Sequence, residues 1–361
     1  MKKLKKLMLL FSAFIAVEKT SAQDPSFSQF FSSPLNIDPA LTANIIEKWR
    51  VISNFRNQWS GPGNPYTTGT VSYDAKIFND VVGNLVDENT RVGMGGMLMY
   101  DQTLGGALKS NYASFNVSGN IRLMKKEGYE INGARIRHMS KIKMDQTAEQ
   151  RLGIGLGVIY GHKRLDFSKL NFGEQFTGRG FDTNLPTGEA GLSNMKGYIS
   201  TSVGLIYTYI MGGTNIDLGV AAFHLNKPKQ TFTADEKQYL APRYVAHGNL
   251  EASLTNQLNL YTNGIYQYQS GASYFSVGSA LGYFLPNTEN PVTINAGLWY
   301  WSQNAVIPYL GFSYGGFQIG VTYDVTISKL NDAARRSNTF EFSMILRGKG
   351  TTSGIIPAPW K

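Results

Sequence analysis

The feature that most constrains this chain is a period-two alternation of apolar with small or polar residues, sustained over long stretches and repeated along most of the sequence. In 151–161, Leu152, Ile154, Leu156, Val158 and Tyr160 share one face, while Gly153, Gly155, Gly157 and Gly161 occupy the other. Phe317, Ile319, Val321, Tyr323 and Val325 alternate with Gln318, Gly320, Thr322, Asp324 and Thr326. Phe340, Phe342, Met344 and Leu346 oppose Glu341, Ser343 and Arg347, with Ile345 as an exception. Such alternation marks strands with one face against something apolar and the other against something different.

The pattern predicts about 14 strands, near 49–57, 67–76, 90–101, 108–122, 149–166, 198–209, 214–225, 243–255, 257–269, 273–285, 292–302, 306–313, 317–326 and 339–347. Many approach the roughly 9–11 residues that cross a bilayer obliquely, whereas strands of soluble sandwiches and propellers usually run about 5 or 6. No segment has the roughly 20 consecutive apolar residues of a membrane helix. The expected fold is all-β, a transmembrane outer-membrane barrel of about 14 antiparallel strands, since closure is what lets a sheet sit in lipid without an unsatisfied edge. Tyr100, Tyr160, Tyr209, Tyr283, Trp299 and Trp301 fall near strand ends, where aromatic girdles form.

The first residues fit that compartment. Lys2, Lys3, Lys5 and Lys6 precede an apolar run from Leu7 to Val17 and a small-residue site, Thr20-Ser21-Ala22, which together read as a secretory signal peptide over 1–22. Its removal takes away five lysines and one glutamate, lowering the formal charge from +9 to +5, so much of the basic balance is targeting. The remaining organisation is an aromatic and proline-rich segment at 23–48, a barrel at 49–347 and a tail at 348–361 with Pro357 and Pro359 before Trp360.

With the mature amino terminus in the periplasm, turns after even-numbered strands should be short and periplasmic, and those after odd-numbered strands longer and external. Met211-Gly212-Gly213, Thr255-Asn256-Gln257 and Gly315-Gly316 fit the first class; 167–197, 226–242 and 327–338 fit the second. The connections at 77–89 and 123–148 break the rule. The latter carries a net +3: either the strand register is misplaced there, or it is a basic periplasmic loop, for which a merely solvated loop is preferred to a docking element.

Motifs for chemistry are mostly eliminated. With no Cys there is no thiol nucleophile, disulfide or Cys-ligated metal. Gly311-Phe312-Ser313-Tyr314-Gly315 has the G-x-S-x-G spacing of a nucleophile elbow, but a strand follows it where a helix is required. Gly153, Gly155 and Gly157 lie inside a strand and lack the third glycine of a dinucleotide loop, so room for packing is the better reading. The four histidines, at 138, 162, 224 and 247, show no metal-binding spacing. No enzyme, cofactor or metal is expected. Basic and aromatic residues are dispersed instead of forming a nucleic-acid patch.

Candidate functional residues come from two places. Pro25, Pro34 and Pro39 punctuate 24–41 too heavily for a barrel strand, so it should pack inside or beneath the barrel. Its Phe27, Phe30 and Phe31 are then either folded into the lumen or held for a partner. On the strands, Arg56, Tyr73, Asp74 and Asp324 sit among alternating neighbours, and charges there should face the lumen, because arginine on the lipid face costs roughly 2–4 kcal/mol at midplane. An internal ion-pair network is preferred to direct partner contact.

Asp24-Pro25-Ser26-Phe27-Ser28-Gln29-Phe30-Phe31, followed by Pro34-Leu35-Asn36-Ile37-Asp38-Pro39-Ala40, resembles the start of the mature PorP/SprF family of type IX secretion membrane proteins. The resemblance continues through Asn54-Phe55-Arg56-Asn57-Gln58-Trp59, Tyr66-Thr67-Thr68, Ser72-Tyr73-Asp74, Asp101 to Gly105, Phe223 to Pro228, and Gly320 to Asp324 with Ser328. It spans 23 to about 347, and the opening block with Arg56 to Trp59 is its specific part. Phe340-Glu341 departs from the His-Glu pair usual in the family. The resemblance implies an outer-membrane protein that supports export and surface attachment of a secreted adhesin through its C-terminal domain, or a core component docking on the periplasmic ring proteins. Its other partner is outer-membrane lipid. A passive porin is the competing class.

Overall fold

The computed structural model describes residues 24–59, 65–77, 90–126, 148–188, 195–231, 238–285, 292–302, 304–328 and 338–348. Among the described residues fourteen strands form one closed antiparallel barrel. They are β1 (Trp49–Gln58), β2 (Tyr66–Ile77), β3 (Thr90–Thr103), β4 (Leu108–Lys126), β5 (Ala148–Leu165), β6 (Tyr198–Met211), β7 (Thr214–Phe223), β8 (Arg243–Ser253), β9 (Leu258–Gln269), β10 (Ala272–Leu285), β11 (Val292–Trp301), β12 (Ala305–Tyr314), β13 (Phe317–Thr326) and β14 (Thr339–Arg347). Each pairs with its sequence neighbours, and β1 with β14, from Arg50↔Arg347 to Gln58↔Thr339, closes the ring. No edge is left to present unpaired backbone to lipid.

The alternation read from sequence is the wall itself. Leu152, Ile154, Leu156, Val158 and Tyr160 face outward and are exposed, while Gly153, Gly155, Gly157 and Gly161 face the lumen. Many inward positions elsewhere are polar and buried, among them Asn54, Thr70, Ser72, Ser118, Asn263, Thr322 and Ser343. This is the apolar-out, polar-in pattern of a barrel in a membrane. Trp299 and Trp301 correct the expected girdle: at 1% and 7% exposure they point into the lumen, because Leu298 and Tyr300 occupy the outward parity of β11.

The two mouths differ. The proximal mouth is where β1 begins and β14 ends, and it carries tight turns at 212–213, 254–257 and 315–316. The distal mouth carries the long connections 166–197 and 224–242, along with short ones at 104–107, 270–271 and 302–304. The stretch 1–22 read as a signal peptide, most of the connections 77–89, 123–148 and 327–338, and the tail from 349 lie outside the described residues.

Residues 24–48 form no strand before Trp49; they run through the lumen from the distal to the proximal mouth. Single 3₁₀ turns at Phe30–Ser32 and Pro39–Leu41 flank one helical turn, α1 (Pro34–Ile37). Pro34 and Pro39 each open a turn, where the missing N–H costs nothing, and Asp38 caps the second by accepting from Ala40 N at 2.7 Å. Compact turns satisfy their own backbone, which a short insert inside a polar barrel requires.

Candidate functional site

The lumen is the site, built from contacts between the inserted segment and the wall. Phe27, Phe30 and Phe31 are all buried in it. Phe31 lies 4.8 Å from the Trp299 ring and meets Tyr309 edge-on at 5.6 Å. Phe27 and Leu35 pack on Met97 and Met99 of β3. Burying each phenylalanine contributes about 1.5–3 kcal/mol relative to water.

Polar anchors fix the register. At β13–β14–β1, both oxygens of Glu341 accept from the segment backbone, from Ser28 N at 2.7 Å and Gln29 N at 2.8 Å. Arg56 stands 3.2 Å from Glu341 and 3.8 Å from Asp324 as an ion pair, over the Trp301 ring at 5.1 Å, and donates to the Ser26 carbonyl. The Ser28 hydroxyl donates to Asp324, and Gln29 bridges Thr322 and Ser343 at 3.2 and 2.8 Å. Nearer the proximal mouth, Arg50 grips Asp74 in a bidentate pair at 3.1 and 2.8 Å, and the same carboxylate accepts from Ala43 N at 2.7 Å.

Two aspartates of the segment complete the set. Asp24 lies 2.7 Å from His224 Nε2 and 3.2 Å from Arg243, while His224 Nδ1 meets the Ser200 hydroxyl at 2.7 Å. Arg243 also donates to the Asn36 carbonyl at 2.9 Å and covers the Phe223 ring at 4.1 Å. Burial would raise the Asp24 carboxyl, but the Arg243 and His224 charges outweigh it and hold it well below the usual carboxylate range. Asp38 meets His247 Nε2 at 2.9 Å. The segment reaches this depth because the wall is glycine there. A Cβ at Gly155 would collide with the Pro39–Ala40 backbone, and one at Gly204 with the Asp38 carboxylate.

Of the residues singled out from sequence, the structure brings Phe27, Phe30, Phe31, Arg56, Asp74 and Asp324 into one lumenal assembly. Tyr73 lies outside that assembly: it is 51% exposed on the outer face, since Ser72 and Asp74 on either side of it take the inward parity of β2. Trp59 also stands apart from the lumen contacts. It lies just past β1 with a positive φ of 58°, its ring edge-on to Tyr66 at 5.1 Å. Sequence reasoning missed Asp24, Asp38, Arg50, Arg243, His224, His247 and Glu341. Inward parity marks Arg50 and Glu341, but the pairing of Asp24 with His224, 200 positions apart, leaves no local signal.

A cavity of ≈ 50 Å³ is bounded by Phe30, Phe31 and Ile37 on one side and Arg50, His247 and Asn263 on the other.

A closed barrel with a lipid-facing apolar surface, a polar interior and its own N-terminal segment threaded through the lumen defines an outer-membrane protein. The chain belongs to the PorP/SprF family of type IX secretion system membrane proteins, whose family model matches residues 19–346. No curated protein matches it in sequence. Among solved structures it is similar to CdiB from Escherichia coli, at 10% identity and a TM-score of 0.40, over 82% of this chain and 62% of that one. The P. putida toluene transporter TodX aligns at 7% identity and a TM-score of 0.45, over 87% of this chain and 93% of TodX. The Acinetobacter baumannii outer membrane protein Omp33 aligns at 8% and 0.34, over 83% and 98%. The chain thus spans less than two thirds of CdiB.

Proposed function

We propose that this protein is a scaffold barrel of the type IX system that retains a protein partner, a secreted adhesin whose C-terminal domain it helps to export and attach at the surface. The observation that carries the reading is the occupied lumen: a wall anchored to its own segment through Glu341, Asp74, Asp324, His224 and His247 is built to hold a shape, not to pass solutes. The long distal connections supply apolar surface beyond the strands, with exposed Phe176, Phe181 and Leu185 on one and Leu225 and Tyr239 on the other. Exposed aromatic and aliphatic side chains on loops outside the bilayer zone favour protein contact. In this reading the distal mouth faces outward, with the tight proximal turns in the periplasm.

The test is affinity purification of a tagged copy from native membranes in mild detergent, with co-purifying chains identified by mass spectrometry. Recovery of a very large surface protein through its C-terminal domain is the expected result. Recovery of periplasmic ring proteins alone would make the barrel a core component, and a clean monomer would return weight to a porin.

A further inference from the structure

Four neighbouring strands each place one cation on the inner wall near the proximal mouth: Lys76 on β2, Arg91 on β3, Arg122 on β4 and Arg151 on β5. Register brings them together. Arg151 is directly opposite Arg122, Arg91 is opposite Asn120, two residues from Arg122, and Lys76 is opposite Gly93, two residues from Arg91. Residues two apart on a strand share a face, so the four side chains line one inner surface. The charges feel one another: Arg91 and Arg151 both repel Lys76, and Arg122 repels Arg91 and Arg151.

Among the described residues two carboxylates act on these four cations. Glu149 pairs with Arg151 through Nε and with Arg122 at 3.6 Å, and Glu47 of the inserted segment acts on Lys76. Lys76 also donates to the Ile46 carbonyl at 2.8 Å. The arginine fork at β5 stays incomplete: Arg151 is 3% exposed, yet both its Nη1 and Nη2 lack a hydrogen-bond partner. A buried guanidinium with two idle donors costs free energy unless something accepts from them. Like charges on adjacent strands are unfavourable in the same way. A guanidinium left with idle donors on a cationic wall is matched by a ligand that brings negative charge and paired oxygens.

We propose that Lys76, Arg91, Arg122 and Arg151 form an oxyanion-binding site on the inner wall at the proximal mouth, taking a carboxylate or phosphate group presented from the aqueous phase. Planar guanidinium forks suit such groups because they engage two oxygens at once. The side chains point into the barrel, which separates this site from lipid headgroups packed around its outside. The lumenal anchors at Glu341, Asp74 and Asp24 are distinct from it, and the site does not depend on which partner the barrel retains.

The test uses the purified full chain in detergent at low ionic strength, titrated calorimetrically with inorganic phosphate and, separately, with a glutamate-rich decapeptide. Saturable binding of at least one probe is expected, weakened at least tenfold in the Arg91→Gln/Arg151→Gln double variant and unchanged in Lys163→Gln near the distal mouth. Tight phosphate binding with an inert peptide would assign a small free oxyanion; preference for the peptide would assign an acidic polypeptide segment. Absence of saturable binding of either probe to the unaltered chain would overturn the proposal, as would full affinity in the double variant. Arg151→Gln alone adds a readout that separates ligand binding from a structural ion pair. With idle Nη donors removed, the melting temperature without ligand should hold or rise, whereas a purely structural pair with Glu149 requires it to fall. Arg151→Lys keeps the charge but loses the fork, and should weaken binding several-fold in an intact barrel.

Discussion

Glu341→Gln tests how the inserted segment is held. In the native chain its two buried oxygens accept from Ser28 N and Gln29 N at 2.7 and 2.8 Å, and its charge faces Arg56 at 3.2 Å. Glutamine keeps the size, but only one oxygen remains to accept, so one of the two backbone donors faces an amide nitrogen. Losing a hydrogen bond to a charged group costs about 1.5–3 kcal/mol, and stripping a buried cation of its partner costs about 3–5 kcal/mol. These overlap, since Asp324 still faces Arg56 at 3.8 Å, and removing the Glu341 charge relieves its repulsion of Asp324. A net loss of about 3 kcal/mol lowers the docked-to-undocked ratio of the segment roughly a hundredfold, at about 1.4 kcal/mol per tenfold. The barrel strands, joined by a complete ring of ladders, should survive. Hydrogen exchange on the detergent-solubilised protein should show amides of 26–31 exchanging about a hundredfold faster in the variant, with those of β6–β9 unchanged. Equal protection of 26–31 in both proteins would refute the reasoning, and loss of the barrel itself would show that the segment is needed to build the wall.

Three further outcomes follow from the same contacts. Gly204→Ala puts a methyl where the Asp38 carboxylate sits, and overpacking of about 1–3 kcal/mol should expose 36–42 to limited proteolysis while the barrel stays heat-resistant in detergent gels. The Asp24 carboxyl is held below its ordinary value, so its anchor is at full strength above the unfolded pKa of about 3.9 and weakens as pH falls further toward the folded value. Protection of 24–28 should therefore stay flat from neutral pH to about 4.5 and drop only in stronger acid, and a drop near pH 6 would contradict this. Because the chain has no Cys, single cysteines report orientation cleanly: Gly178→Cys on the distal connection should react with an impermeant maleimide on intact cells, and Asn256→Cys on a proximal turn should react only after lysis.

The wall was legible from sequence because lipid outside and polar groups inside force a strict period of two, and long alternating runs such as 151–161 leave one register. That signal fails where both faces are apolar. In β11 the run Leu298-Trp299-Tyr300-Trp301 has no polar partner to mark the lumen, so two tryptophans that line it, one stacked on Phe31, read as a membrane girdle. Tyr73 and Asp74 part for a different reason: adjacent residues on a strand face opposite ways, so Asp74 takes the lumen and Tyr73 the outer face. The anchors were hidden because their halves are far apart in sequence, Ser28 from Glu341 by 313 positions and Asp38 from His247 by 209. Only the closed ring brings them together, and neither composition nor spacing tells which residue of the inserted segment meets which residue of the wall.

The most direct test of the central claim, that the lumen is occupied by the chain's own N-terminal segment, is single-channel conductance in planar bilayers. The full chain should insert and remain silent, and a variant lacking 24–43 should conduct steadily. A stable open pore from the full chain would contradict the account.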